Sequence, residues 1–171
     1  MTPLVRSFTE NEWTIYKDLR LAALAESPDA FGSTFAKETQ RTDAEWASRL
    51  FVGIRSHWDF PALAEIDNSP IGLAWGRIEE SNPALANLYQ VWVSPAYRRL
   101  GAGQRLLEAV ISWAIGKQAD YLELSVTCGD TPATRLYTRA GFVPVGQPEP
   151  IRPGAHLLGQ KMRLQLTKDA A

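Results

Sequence analysis

Cysteine is almost missing from this sequence: Cys128 is the single one in 171 residues. One cysteine excludes an intramolecular disulfide. Nothing around Cys128 marks its thiol as activated, so it is expected to pack, and a covalent acyl-cysteine route is not expected. Histidine is scarce too, with His57 and His156 alone, and no metal site is expected. Neither sign of charge is in excess. Lys and Arg number 18 against 19 Asp and Glu, for a net charge of -1 and a pI near 6.1. That balance, with no block of like charge, argues against a nucleic-acid or membrane partner. No apolar run approaches the roughly 18 residues of a membrane span. The start, Met1-Thr2-Pro3-Leu4-Val5-Arg6, lacks the apolar core of a secretory leader, so a cytoplasmic protein is expected. What is present is 45% hydrophobic and 22% charged residues. That composition fits a single globular α/β domain over residues 1–166, with a frayed tail at 167–171.

Residues 4–8 read as a strand, and Thr9-Glu10-Asn11-Glu12 as a capping box opening a helix that runs to about Ala25. Pro28 ends that pattern; residues 31–35 read as loop or short helix, and Thr42-Asp43-Ala44-Glu45 caps a helix carrying Trp46 and Leu50. Residues 60–66 and 71–78 are strand-like and flank the turn-forming Asp67-Asn68-Ser69-Pro70, a hairpin signature. A third run over 84–93 leads to a helix with Leu106, Leu107, Val110, Ile111 and Ala114 at helical spacing, with Gly116 placed to end it. A strand at 120–126 follows, which implies a right-handed crossover between two parallel strands. Pro132 and Gly141 bracket a last helix, and strands at 142–146 and 156–166 close the chain.

Between the 84–93 strand and its helix lies Ser94-Pro95-Ala96-Tyr97-Arg98-Arg99-Leu100-Gly101-Ala102-Gly103-Gln104. A helix start presents unpaired N–H groups and a partial positive charge, and glycine lets backbone approach a ligand closely. Three readings compete: an ordinary helix start with solvated arginines, a dinucleotide fingerprint, or a pyrophosphate cradle of another kind in which Arg98 and Arg99 add charge. Glu123, about 20 residues on, suits the ribose acid of the second reading. That reading fails because Leu106 replaces the third glycine and hairpins precede the turn where a βαβ unit should begin.

Arg98-Arg99-Leu100-Gly101-Ala102-Gly103, preceded by Val91-Trp92-Val93-Ser94-Pro95 and followed by Ala133-Thr134-Arg135-Leu136-Tyr137-Thr138-Arg139-Ala140-Gly141-Phe142, resembles the two signatures of the GCN5-related N-acetyltransferase (GNAT) family. Leu19-Arg20-Leu21 and Pro28-Asp29-Ala30-Phe31-Gly32 look like a subset of bacterial members. The resemblance implies an α/β (α+β) fold with a mixed central sheet of about seven strands and about four helices. It also implies acetyl-CoA as acetyl donor, and a homodimer whose interface the sequence does not mark. On this resemblance the fourth and fifth strands splay, and the donor's pantetheine arm pairs with the backbone of Val91, Trp92 and Val93. The Val93 amide stabilises the oxyanion, and Arg98, Arg99, Leu100, Gly101, Ala102, Gly103 and Gln104 hold the pyrophosphate. Ala133 and Tyr137 complete the donor side.

Tyr137 is expected to act as the acid, since acyl transfer from a thioester releases a thiolate that a phenol can protonate. Asp130 stands where the family usually shows Asn, and either contacts the donor or caps the helix beginning at Pro132. Asn87 stands where some members place a Glu base; it cannot take a proton but can position water. Glu79, Glu80 and Glu123 are weaker candidates for the base, and His57 and His156 read as surface residues. Phe31, Phe35, Trp75 and Tyr89 are the expected acceptor pocket, with Trp46 and Trp92 nearby. The expected acceptor is a primary amine of a small molecule attacking directly in a ternary complex. A protein N-terminal or lysine acetyltransferase and a non-catalytic acyl-CoA sensor are the alternatives.

Overall fold

A computed structural model describes residues 1–167; the remainder of the tail expected at 167–171 lies outside the described residues. The strands are β1 (Leu4–Ser7), β2 (Asp59–Ile66), β3 (Ser69–Ile78), β4 (Leu85–Val93), β5 (Tyr121–Thr127), β6 (Val143–Pro144), β7 (Glu149–Pro150) and β8 (Leu158–Gln165). The helices are α1 (Trp13–Glu26), α2 (Phe35–Glu38), α3 (Asp43–Arg55), α4 (Ala102–Gly116) and α5 (Pro132–Ala140). One sheet holds all the strands in the order β1-β2-β3-β4-β5-β8-β6, with β7 on β8.

Local chemistry accounts for most boundaries. The Glu12 carboxylate accepts the Thr9 N–H at 2.9 Å just ahead of α1. At α3, Thr42 Oγ1 accepts the Glu45 N–H at 3.2 Å while the Glu45 carboxylate accepts the Thr42 N–H at 2.8 Å, a reciprocal cap. Asp67 (φ 48°) and Asn68 (φ 64°) form the two-residue turn between β2 and β3, a conformation that Asp and Asn tolerate. Gly141 (φ 102°) stops α5. Gly116 does not play that part for α4: the helix includes it, and the left-handed residue is Gln118 (φ 64°). The expected 142–146 strand shrinks to Val143–Pro144, because Pro144 has no N–H to donate and Gly146 (φ 73°) turns the chain.

Two apolar layers sandwich the sheet. Ile71, Ala86, Leu88, Leu106, Val110 and Leu122 belong to the layer under α4. Tyr16, Trp46, Leu50, Leu63, Leu73 and Trp92 belong to the layer under α1 and α3.

β4 is where the sheet opens. It pairs in parallel with β5 only through Leu85↔Tyr121, Ala86↔Leu122 and Asn87↔Glu123. Beyond that point β5 stays with β8 as far as Thr127↔Gly159, whereas β4 stays with β3. Trp75 opposes Tyr89 and Leu73 opposes Trp92, so Gln90 and Val91 together face Ala74. Gln90 takes the left-handed conformation (φ 59°) that such a bulge needs. A bulge bends its strand, and here the bend falls three residues past the last β4–β5 pair.

Candidate active site

A cleft of about 1670 Å³ runs through this gap, lined by residues 88–93 of β4, 124–127 of β5, the starts of α4 and α5, and the segment after α1. A single small ligand typically occupies about 300–1000 Å³, so the cleft has room for two molecules end to end.

The donor wall follows from hydrogen-bond alternation. Ser94 N–H donates to Ile71 O at 2.7 Å, so in the antiparallel β3–β4 ladder Val93, opposite Gly72, is a non-hydrogen-bonded position. Its carbonyl confirms the direction, because it accepts from Arg98 Nε at 2.9 Å, away from β3. The N–H of Val93 points the same way, into the gap, and Val91, two residues earlier, matches it. Trp92 between them turns its backbone to β3.

The turn before α4 alternates left-handed residues, Arg99 (φ 66°) and Gly101 (φ 86°), a geometry that gathers N–H groups into an anion-binding concavity. The first ladder bond of α4 runs from Arg105 N–H to Gly101 O at 3.0 Å, leaving the amides of Ala102, Gly103 and Gln104 without helical acceptors. Gly101 is required by its φ, whereas a Cβ on Gly103 would meet Leu136 Cδ2 at an ordinary 3.6 Å. The arginines divide their work. Arg98 is held by Glu26 at 3.2 and 2.8 Å, and Glu26 also accepts from Trp92 Nε1 at 2.9 Å. Donation from Arg98, then Ser27 and Trp92, brings the Glu26 carboxyl down to about 2. Arg99 has no ion pair among the described residues and lines the cleft. Leu100 is 42% exposed. Glu26 carries no local sequence signal, since its partner is 72 residues away.

Tyr137 lines the cleft one helical turn after Ala133. Its ring meets Phe142 edge-on at 5.8 Å, and burial pushes its phenol up to about 12. Asp130 does not cap α5. Thr131 does, its Oγ1 accepting the Thr134 N–H at 3.1 Å, while Asp130 pairs with Arg135 at 2.8 Å in the open. Capping fell one residue later because Thr131 has the extended backbone an N-cap needs.

The expected acceptor residues separate. Phe31, Trp75 and Tyr89 line the cleft, with Trp75 Nε1 bonded to Asp59 at 2.8 Å. Phe35 is 45% exposed on α2, outside the wall, and Trp46 is fully buried in the core. Asn87 closes the β4–β5 pairing, also outside the wall. Among carboxylates on the wall, Glu26 is held by Arg98, Glu38 by Arg41 and Arg49, and Asp59 and Glu79 by Arg77. Glu123 is buried against Arg163, and Glu80 and His156 stand away from the cleft. His57 Nδ1 lies 3.2 Å from Lys117 Nζ. Cys128 is exposed rather than packed: its N–H bonds Leu158 O at 2.8 Å, extending the β5–β8 ladder, and the side chain is left to solvent.

A mixed sheet opened between two parallel strands, with an anion-binding turn at the mouth, defines an acyltransferase architecture. The chain belongs to the acetyltransferase (GNAT) family, whose pattern matches residues 18–142. It is 28% identical over 123 residues to a mycothiol acetyltransferase of Tsukamurella paurometabola, covering 71% of this chain and 41% of that protein. The chain thus spans about two-fifths of the length of such relatives, 41% and 44% for two of them. The fold is shared with yncA of Salmonella typhimurium, solved with its cofactor acetyl-CoA, at a TM-score of 0.80 and 17% identity over 100% of this chain and 98% of that one. It is shared equally with spermidine N-acetyltransferase of Vibrio cholerae, solved with CoA and spermine, at 0.79 and 16% identity over 98% and 97%.

Proposed function

We propose that this protein transfers acetyl from acetyl-CoA to a primary amine of a small molecule, by direct attack in a ternary complex, within one catalytic unit over residues 1–166. The observation that carries the reading is the meeting, in one cleft, of the gap-facing amides of Val91 and Val93, the unpaired amides at the start of α4, and the protonated phenol of Tyr137. The donor supplies a thioester, whose carbonyl carbon is open to an amine. The α4 start and Arg99 hold its pyrophosphate. Val93 N–H donates to the carbonyl oxygen as negative charge develops there. Tyr137 gives its proton to the departing sulfur. The amine loses its own proton through water to solvent: Glu26, Glu38, Asp59 and Glu79 are each committed to arginine, and the remaining carboxylate of the wall, Asp29, stands exposed to that water.

The test is stability under ligand. Acetyl-CoA at a hundredfold over its Kd should stabilise the protein by about 2.7 kcal/mol, a rise of several degrees in Tm, and NAD at the same concentration should give none. Equal or absent shifts would overturn the donor assignment. A shift without free-CoA release across an amine panel would instead mark a binding module.

A further inference from the structure

Arg20 is 4% exposed and lines the acceptor end of the cleft; its side chain donates no hydrogen bond to any described residue, and its Nε and Nη1 are fully buried without a partner. A buried guanidinium with three unanswered N–H donors, one on Nε and two on Nη1, is costly unless an anion meets it. Glu38 lies near but does not fill that part, since its oxygens accept from Ser33, Arg41 and Arg49. The Phe31 ring, 4.8 Å beneath the guanidinium, fixes its plane without supplying an acceptor.

Two further donors reach the same place. Arg49 lines the cleft as well, and its one carboxylate contact, Nη1 to Glu38, is a long 3.4 Å. Gln90, the bulge residue, takes the Tyr16 hydroxyl on its Oε1 at 3.0 Å, which leaves its side-chain N–H groups for the cleft. Tyr16 and Arg20 are one turn apart on α1, so Arg20 and Gln90 are tied to the same buried anchor. Burial bears against the charged form of Arg20, and Tyr16 and Glu38 favour it.

We infer that Arg20, with Arg49 and Gln90, forms an anion subsite that selects acceptors carrying a carboxylate beside the amine. The inference rests on the acetyl-transfer reading and narrows its acceptor. A guanidinium fork matches the two oxygens of a carboxylate, a geometry that a neutral amide cannot answer. Gln90 is three residues from Val93, at most about 11 Å along the Cα trace. The anion and the attacking nitrogen therefore belong to one compact molecule, an amino acid in the chemical sense.

The experiment measures CoA release and Tm for L-phenylalanine, L-leucine, β-alanine and 4-aminobutyrate, each against its carboxamide. The amide has the more easily deprotonated amine, so a preference for the acid cannot come from amine basicity. At least one acid should exceed its amide at least tenfold in kcat/KM, and Arg20→Gln should lower that ratio about tenfold. A thermal shift by acetyl-CoA shows the variant to be folded; should it not fold, Arg49→Gln should lower the same ratio. Amides equal to or better than their acids in the unaltered protein would overturn the subsite, as would an Arg20 variant that slows both alike. If no acceptor releases CoA, the acids must raise the Tm of the CoA-saturated protein above their amides, and failure there overturns the subsite too. Loss of the acetyl-CoA shift in the unaltered protein would count against the donor reading alone, because acid-over-amide stabilisation can be read without CoA.

Discussion

Tyr137→Phe is expected to lower kcat by about 10²- to 10⁴-fold, the usual contribution of a positioned proton donor, while the stabilisation by acetyl-CoA persists. The ring stays, so the packing on Phe142 stays; only the O–H goes. Single-turnover CoA release, with Tm read alongside, checks both halves. Unchanged turnover would remove Tyr137 as the acid. The raised phenol adds a second signature. An unfolded tyrosine ionises near pH 10 and the folded Tyr137 near 12, so the unfolded chain releases its proton first as pH rises. The contribution is therefore full below about pH 10 and is lost between about 10 and 12, roughly 2 to 3 kcal/mol in all. Denaturation at pH 9 and 11 should show the unaltered protein losing more stability than Tyr137→Phe across that interval. In catalysis the same shift means that no fall in kcat below about pH 10 belongs to this residue.

The donor side of the site was legible in the sequence because its parts are local. Gly101 needs a positive φ, the α4 start needs no distant partner, and Ala133 and Tyr137 share one helix face four residues apart. The contacts that hold the rest of the site were not, since they are assembled across the fold. Glu26 meets Arg98 and Trp92 from the end of α1, Gln90 meets Tyr16, and Glu38 gathers Arg41 and Arg49. One signal was available and unused: Arg20 stands among Tyr16, Ala23 and Leu24 on the buried face of α1. An arginine at such a position needs an explanation that composition cannot give. The splay was implied by family resemblance, but its cause was hidden. Nothing in Tyr89-Gln90-Val91 announces a bulge, because Gln90 adopts its left-handed conformation under tertiary constraint rather than by preference.

That bulge makes the geometry at Val93 sensitive to its neighbour, and Gly72→Ala is expected to lower kcat/KM by about a hundredfold. A Cβ at Gly72 would stand 2.6 Å from Trp92 O and 3.2 Å from Val93 Cα. Both are backbone atoms, so no rotamer relieves the overlap. Reaching an ordinary 3.4 Å contact needs a shift of about 0.8 Å (3.4 minus 2.6) in the end of β4. A displacement of about 1 Å at a reacting centre is enough for a hundredfold loss. Overpacking of this kind also costs about 1–3 kcal/mol of stability. The companion is Gly116→Ala at the far end of α4, where a Cβ meets nothing within 4 Å. That change should raise stability by up to about 1 kcal/mol through helix propensity and leave turnover alone. Urea midpoints and kcat/KM on both variants separate the cases. Gly72→Ala with normal turnover would show that the Val93 amide is not held where the oxyanion forms. A loss at Gly72 without one at Gly116 ties the rate to the register of β3 against β4, the contact that aims Val93 into the gap.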